Sequence, residues 1–159
     1  MMESAPAAGR SQSGGPINDE VMWRLLGYSL TQATIPLNAR FRKAIGALAL
    51  TQVEFTVLLL VTHNVELVQS QLCRVIGVSP PNMTNVLARL LTRGLLARSR
   101  SGSDGRKLVL RLTSAGEGLA KQAQAVAAHM EDDVLRRLTA IERDTLFALL
   151  RKVARFRRL

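Results

Sequence analysis

A mainly α-helical fold with one small β-hairpin is the class this sequence predicts, and three observations predict it. Apolar residues make up 47% of the chain but aromatic residues only 4%. An aliphatic core of that kind suits helices packed on helices better than a sandwich of sheets. Apolar residues also recur at three- and four-residue spacing through most of the chain, the period of an amphipathic helix. Between Leu96 and Leu112 that period gives way to two short runs, Leu96–Arg100 and Lys107–Leu112, around the turn segment Ser101-Gly-Ser-Asp-Gly105, the pattern of a hairpin. At 159 residues one domain with helical extensions is expected.

Residues 1–17, rich in Ala, Gly, Ser, Pro and Gln, have little to bury and are expected to form a disordered tail. Asn18 can cap a helix whose first turn carries Asp19 and Glu20, the sign of charge favoured at that end of the dipole. Met22, Leu25, Leu26, Leu30, Ala33, Leu37, Phe41, Ile45 and Leu48 carry the helical period onward to residue 48. Pro36 lacks a ladder donor and is expected to kink or split this helix. Thr51-Gln-Val-Glu54 is a capping box, with Leu50 and Phe55 placed as a hydrophobic staple, and its helix runs to about His63. Glu66-Leu-Val68 is expected as a short strand. Ser70–Ile76 forms the next helix, and Gly77 permits a left-handed turn after it. Ser79 is expected to cap the following helix, with Pro80 at its first position. Met83, Val86, Leu87 and Leu90 form its inward stripe; Pro81, Asn82, Thr84, Asn85 and Ala88 face out, flanked by Arg89. Gly94 ends that helix. Thr113 caps a further one with Leu119, Ala123, Val126, Met130, Val134 and Leu138 on one face. A second capping box, Thr139-Ala-Ile-Glu142, opens the last helix, whose stripe is Ile141, Leu146, Leu149, Leu150, Val153 and Phe156.

Helix, tight turn, helix and hairpin in that order make a winged helix-turn-helix over residues 49–113, the arrangement that holds a helix in a DNA groove. The flanking segments, 18–48 and 114–159, carry apolar stripes that this lobe cannot cover, and are expected to be dimerisation helices. The net charge of +10 is local. Residues 89–111 hold seven bases against Asp104 alone, and residues 151–159 hold five with no acid. An acidic partner is implied, double-stranded DNA ahead of an anionic membrane. On the outward face Asn82 and Asn85 suit bidentate pairing with adenine, while Thr84 and the Pro81 ring suit thymine methyl groups. Ser79 and the helix N-terminus suit a phosphate. Together these imply an A/T-rich half-site. Arg106 at the hairpin tip is the candidate for the minor groove, and Arg98, Arg100 and Lys107 for phosphates.

Other chemistries find little support. There is no nucleophile–base pair, phosphate-binding glycine loop or metal-ligand spacing around His63 or His129, so neither an enzyme nor a cofactor is expected. The single cysteine, Cys73, fits a buried thiol and a reducing cytosol. No signal peptide or membrane-length apolar run is visible, so a cytoplasmic protein is expected. An architectural DNA-binding protein that uses charge alone is the alternative to a sequence-specific regulator.

Several motifs together resemble the MarR family of bacterial transcription regulators. They are Leu50-Thr51-x-x-Glu54-Phe55-x-x-Leu58, Leu72-Cys-x-x-Ile-Gly-Val-Ser79, Val86-x-x-x-Leu90-x-x-x-Gly94-Leu95 and Asp104-Gly-Arg106-x-x-x-x-Leu-Thr113-x-x-Gly116. The resemblance covers residues 19–158, and its wing motif is the most specific part. It implies a homodimer with intertwined terminal helices, an inverted-repeat operator, and control by a small effector such as a phenolic or aromatic acid. It also implies that Asp104 organises the wing tip by pairing with an arginine such as Arg89. The effector is expected where the dimer helices meet the DNA lobe, near Trp23, Tyr28, Arg40 and His63. Val68 stands where the family commonly has a capping Thr, and Cys73 replaces a small residue.

Overall fold

The computed structural model describes residues 17–102 and 106–155. The expected tail, apart from Ile17, lies outside them, as do the Asp104 contact at the hairpin tip and Phe156. The chain begins with a 3-10 turn at Met22–Arg24, followed by helices α1 (Leu26–Gly46), α2 (Gln52–Thr62), α3 (Gln69–Ile76) and α4 (Pro80–Thr92). Strands β1 (Leu96–Arg100) and β2 (Leu108–Leu112) precede helices α5 (Ser114–Leu135) and α6 (Ala140–Arg155). The described residues fall into two compact units, one ending at Ile35 and one beginning at Pro36.

In the first unit Asn18 does not cap the long helix. Its Oδ1 accepts the Glu20 N–H at 3.1 Å, the local turn that an Asn side chain offers in competition with a helix. Asp19 gathers the aromatic residues instead: its carboxylate accepts from Trp23 Nε1 at 3.2 Å and from the Tyr28 hydroxyl. The two rings meet edge to face at 5.6 Å. Regular helix starts only at Leu26, and it continues through Pro36 without splitting. One missing donor in a 21-residue helix is outweighed by the cooperative ladder on either side.

The second unit is built around α2, which packs against α3, α4, β2 and α5. Its Val57, Leu58 and Val61 are buried in one aliphatic cluster with Ile45, Leu72, Met83, Leu87, Leu90, Leu96 and Leu110. Helix α5 meets the cluster with Gly116, Ala120, Ala123 and Ala127, small side chains that allow a close interhelical approach. Both capping boxes form. Thr51 and Glu54 exchange bonds of 2.8 and 3.3 Å, and so do Thr139 and Glu142. Leu50 and Phe55 both join the core cluster, where Phe55 meets Phe41 edge to face.

Caps, a turn and strand pairing place α4 and the hairpin. Val68 has no side-chain acceptor, but Gln71 Oε1 accepts the Val68 N–H at 3.0 Å, so half of a capping box survives. Gly77 takes φ +77° at the end of α3, the turn that glycine makes without steric cost. β1 and β2 pair antiparallel from Leu96↔Leu112 to Arg100↔Leu108. The strand expected at Glu66-Leu-Val68 shrinks to a single bridge, Leu67 with Leu110, because the chain enters α3 at Gln69. Thr113 then locks the hairpin to α5: its hydroxyl accepts the Gly116 N–H at 3.1 Å and donates to the Gly94 carbonyl at 2.6 Å. A Cβ on Gly116 would collide with the Leu95 carbonyl oxygen, which explains the glycine of that motif.

Candidate nucleic-acid interface

Helix α4 buries Met83, Val86, Leu87 and Leu90 and leaves Pro81, Asn82, Thr84, Asn85 and Ala88 exposed. One face is therefore held rigidly while the other is free for a groove. Ser79 occupies the N-cap position with extended backbone, but its side chain makes no capping bond. Pro80 and Pro81 have no N–H, so Asn82 is the first helical residue with a donor, and two of the donors usual at a helix start are missing. The same deficit thins the phosphate cradle expected at this end.

Thr84 is tied down on both sides. Its hydroxyl lies 3.0 Å from the Pro80 carbonyl oxygen and 2.8 Å from Gln69 Nε2 on α3. Arg89 is tied by Glu54, whose Oε1 accepts from Arg89 Nε at 2.8 Å. The Glu54 side chain is 4% exposed and that of Arg89 53%, so the pair runs from the core to the surface. Burial pushes the Glu54 carboxyl up, but the Thr51 N–H and the Arg89 guanidinium together hold it below its ordinary value. The Arg93 guanidinium donates to the Ala49 carbonyl at 2.6 Å, so this base of the cationic run braces α4 against the start of α2.

On the hairpin Arg98, Arg100, Arg106 and Lys107 are exposed. Arg111 Nε donates to Ser99 Oγ at 3.0 Å across the strands. Arg98 and Lys107 line a groove of about 530 Å³ with Val68, Gln69 and Leu108, which brings wing bases and the start of α3 to one concave surface. Glu66 Oε1 accepts the Gly102 N–H at 2.9 Å and so anchors the hairpin near its tip.

The four ligand candidates have different surroundings. Trp23 and Tyr28 share Asp19, and that bond, with some desolvation, raises the Tyr28 phenol above its ordinary value. Arg40 lines a cavity of about 700 Å³ between α1 and α5, with Lys43, Ala44, Val126, His129, Met130, Asp133 and Arg136. His63 is the exposed C-cap of α2. Cys73 is half-buried. Sequence reasoning missed Gln69, Glu66, the Glu54–Arg89 pair, and the residues that line the cavity with Arg40. Each depends on contacts between elements far apart in the chain and left no local signal.

Residues 50–107 match the model of the MarR family. The HTH-type transcriptional repressor Rv2887 of Mycobacterium tuberculosis is 36% identical over 128 residues, which are 80% of this chain and 92% of that protein. Among solved structures, the transcriptional repressor CouR bound to a 23-mer DNA duplex superposes with a TM-score of 0.80 at 32% identity, over 89% of this chain and 100% of that one. The Rv2887 complex with salicylic acid gives a TM-score of 0.66 at 36% identity, over 80% of this chain and 95% of that one.

Proposed function

Because the chain belongs to the MarR family of transcriptional regulators, we propose that it is a cytoplasmic, homodimeric repressor that binds an inverted-repeat operator and is released by a small aromatic or phenolic acid. The outward face of α4 carries this reading. Pro81, Asn82, Thr84 and Asn85 stand exposed on a helix whose opposite side is fully packed, beside a hairpin that presents Arg98, Arg100, Arg106 and Lys107 to solvent. Asn82 and Asn85 read adenine, Arg106 enters the minor groove, and Arg98, Arg100 and Lys107 hold phosphates, with Arg89 flanking them. Ser79 and the backbone around it contribute at most a weak phosphate contact, given the two prolines.

A second copy covers the apolar residues that this chain leaves in water. On α6 these include Ile141, Leu149, Leu150 and Val153; before Pro36 they include Ile17, Val21, Trp23, Leu25, Leu26 and Ile35. Exposed apolar surface on this scale marks an interface. Two recognition helices related by a two-fold then meet half-sites about 10 bp apart.

The effector fits the cavity beside Arg40. Arg40, Lys43, His129 and Arg136 offer donors for a carboxylate, and Ala44, Val126 and Met130 offer apolar walls for a ring. The relative Rv2887 is known in complex with salicylic acid, an acid of this class. Trp23, Tyr28 and His63 are the further candidates for stacking or pairing. Linkage then requires DNA to weaken effector binding by the same factor as effector weakens DNA binding.

Competition between a selected operator and random DNA at fixed salt tests the function. A specificity of about 10³-fold or more is expected of a site-specific regulator. Equal affinity for both duplexes, with a steep salt slope, would mean an architectural protein that uses charge alone.

A further inference from the structure

We propose that Gln69 is a specificity-determining positioning residue, which makes Thr84 a reader of the thymine 5-methyl group by holding its hydroxyl. The proposal rests on the DNA-binding reading above and specifies how one position of that face works. Gln69 Nε2 lies 2.8 Å from Thr84 Oγ1 and 3.5 Å from the Pro80 carbonyl oxygen. Thr84 Oγ1 lies 3.0 Å from the same carbonyl. A carbonyl can only accept, so the Thr84 hydrogen is directed to Pro80 and Gln69 presents its NH₂ group to the hydroxyl oxygen.

A threonine hydroxyl has one hydrogen to donate, and here it is used inside α4. Thr84 therefore has none for thymine O4, adenine N7 or the guanine N7 and O6, the acceptors of the major groove. Thr84 is exposed, and its γ-methyl group is the part left for base contact. Alone, a helical threonine divides between two rotamers, since its oxygen can reach either of two carbonyls of the preceding turn. The Gln69 amide comes from α3 and selects one of them. The aim of a base contact is thus set by a residue on the other helix of the motif.

The test uses the intact protein and the tightest duplex selected from a random-sequence pool, remade with each thymine replaced singly by deoxyuridine, which removes only the methyl group. The wild type is expected to weaken about fourfold at one thymine in each half-site, the worth of one buried methyl group. Thr84→Ser should be indifferent at that thymine. Thr84→Val keeps the β-branched methyl groups and should retain the discrimination. Gln69→Ala should cut it to less than about twofold, but should change nothing further when introduced into Thr84→Val. Three results would overturn the proposal: no thymine whose methyl group matters, full discrimination retained by Gln69→Ala, or a loss of equal size from Gln69→Ala in the Thr84→Val background. The last would mean that Gln69 touches the base itself. Failure of the wild type to select any sequence is a separate outcome, which overturns site-specific binding and this proposal with it.

Discussion

Glu54 caps α2 through the Thr51 N–H and, with its other oxygen, holds Arg89 on α4. Glu54→Gln keeps the shape but loses the charge that both bonds use, so a loss of about 1–3 kcal/mol is expected in urea unfolding. The pH dependence has a definite sign. The folded carboxyl titrates below its ordinary 4.5, so its contribution is fully present above that value and is lost as pH falls through the folded value. Wild type and Glu54→Gln should accordingly converge in stability as the pH falls; a gap that does not narrow in acid would exclude this carboxylate as the cause. Gly116 is a second residue with a sharp requirement, since the Leu95 backbone leaves no room for a Cβ. Gly116→Ala should cost about 1–3 kcal/mol, the range for overpacking, seen as a lower thermal midpoint. The Thr51–Glu54 box was legible in the sequence because its partners are three residues apart. The Arg89 bond spans 35 residues and was not.

At the scale of the element, α4 sorts its outward residues into different tasks. Asn85 is exposed, and Asn85→Ala is expected to relax specificity by about 1–3 kcal/mol at a single base pair. Arg98→Ala on β1 should weaken binding alike on all sequences and lower the salt slope by about one unit. Binding to a panel of single-base operator variants at several salt concentrations separates the two effects. If Asn85→Ala behaved like Arg98→Ala, it would not be a base reader. The inward stripe of α4 followed from period alone, since Met83, Val86, Leu87 and Leu90 are spaced by three, one and three. The cap did not follow. Ser79 has the residue type and the position of an N-cap, but its side chain makes no capping bond.

At the scale of the molecule, α6 exposes Ile141, Leu146, Phe147, Leu149, Leu150 and Val153 in a single copy of the chain. Leu149→Glu places a charge in that surface. If a second copy covers it, the variant should sediment as a monomer at concentrations where the wild type is a dimer. Operator affinity should then become dependent on protein concentration. A wild-type monomer at micromolar concentration would remove the dimer from the mechanism.

What the sequence determined by itself is whatever depends on near neighbours. That covers the helical period, the Thr51, Thr113 and Thr139 caps, the turn at Gly77, the presence of the hairpin and the separation of basic from apolar surface. These are set by dihedral preference, side-chain spacing and bonds over a few residues. Tertiary structure decided which polar groups meet. Gln69 with Thr84, Glu54 with Arg89, and Glu66 with Gly102 each join separate elements, and such pairings exist only once the aliphatic core has brought those elements together. Two further outcomes were decided within a few residues: Asn18 took a local turn with Glu20, and the helical ladder on either side carried α1 through Pro36. At both places local chemistry admits more than one conformation, and the surrounding chain selects among them.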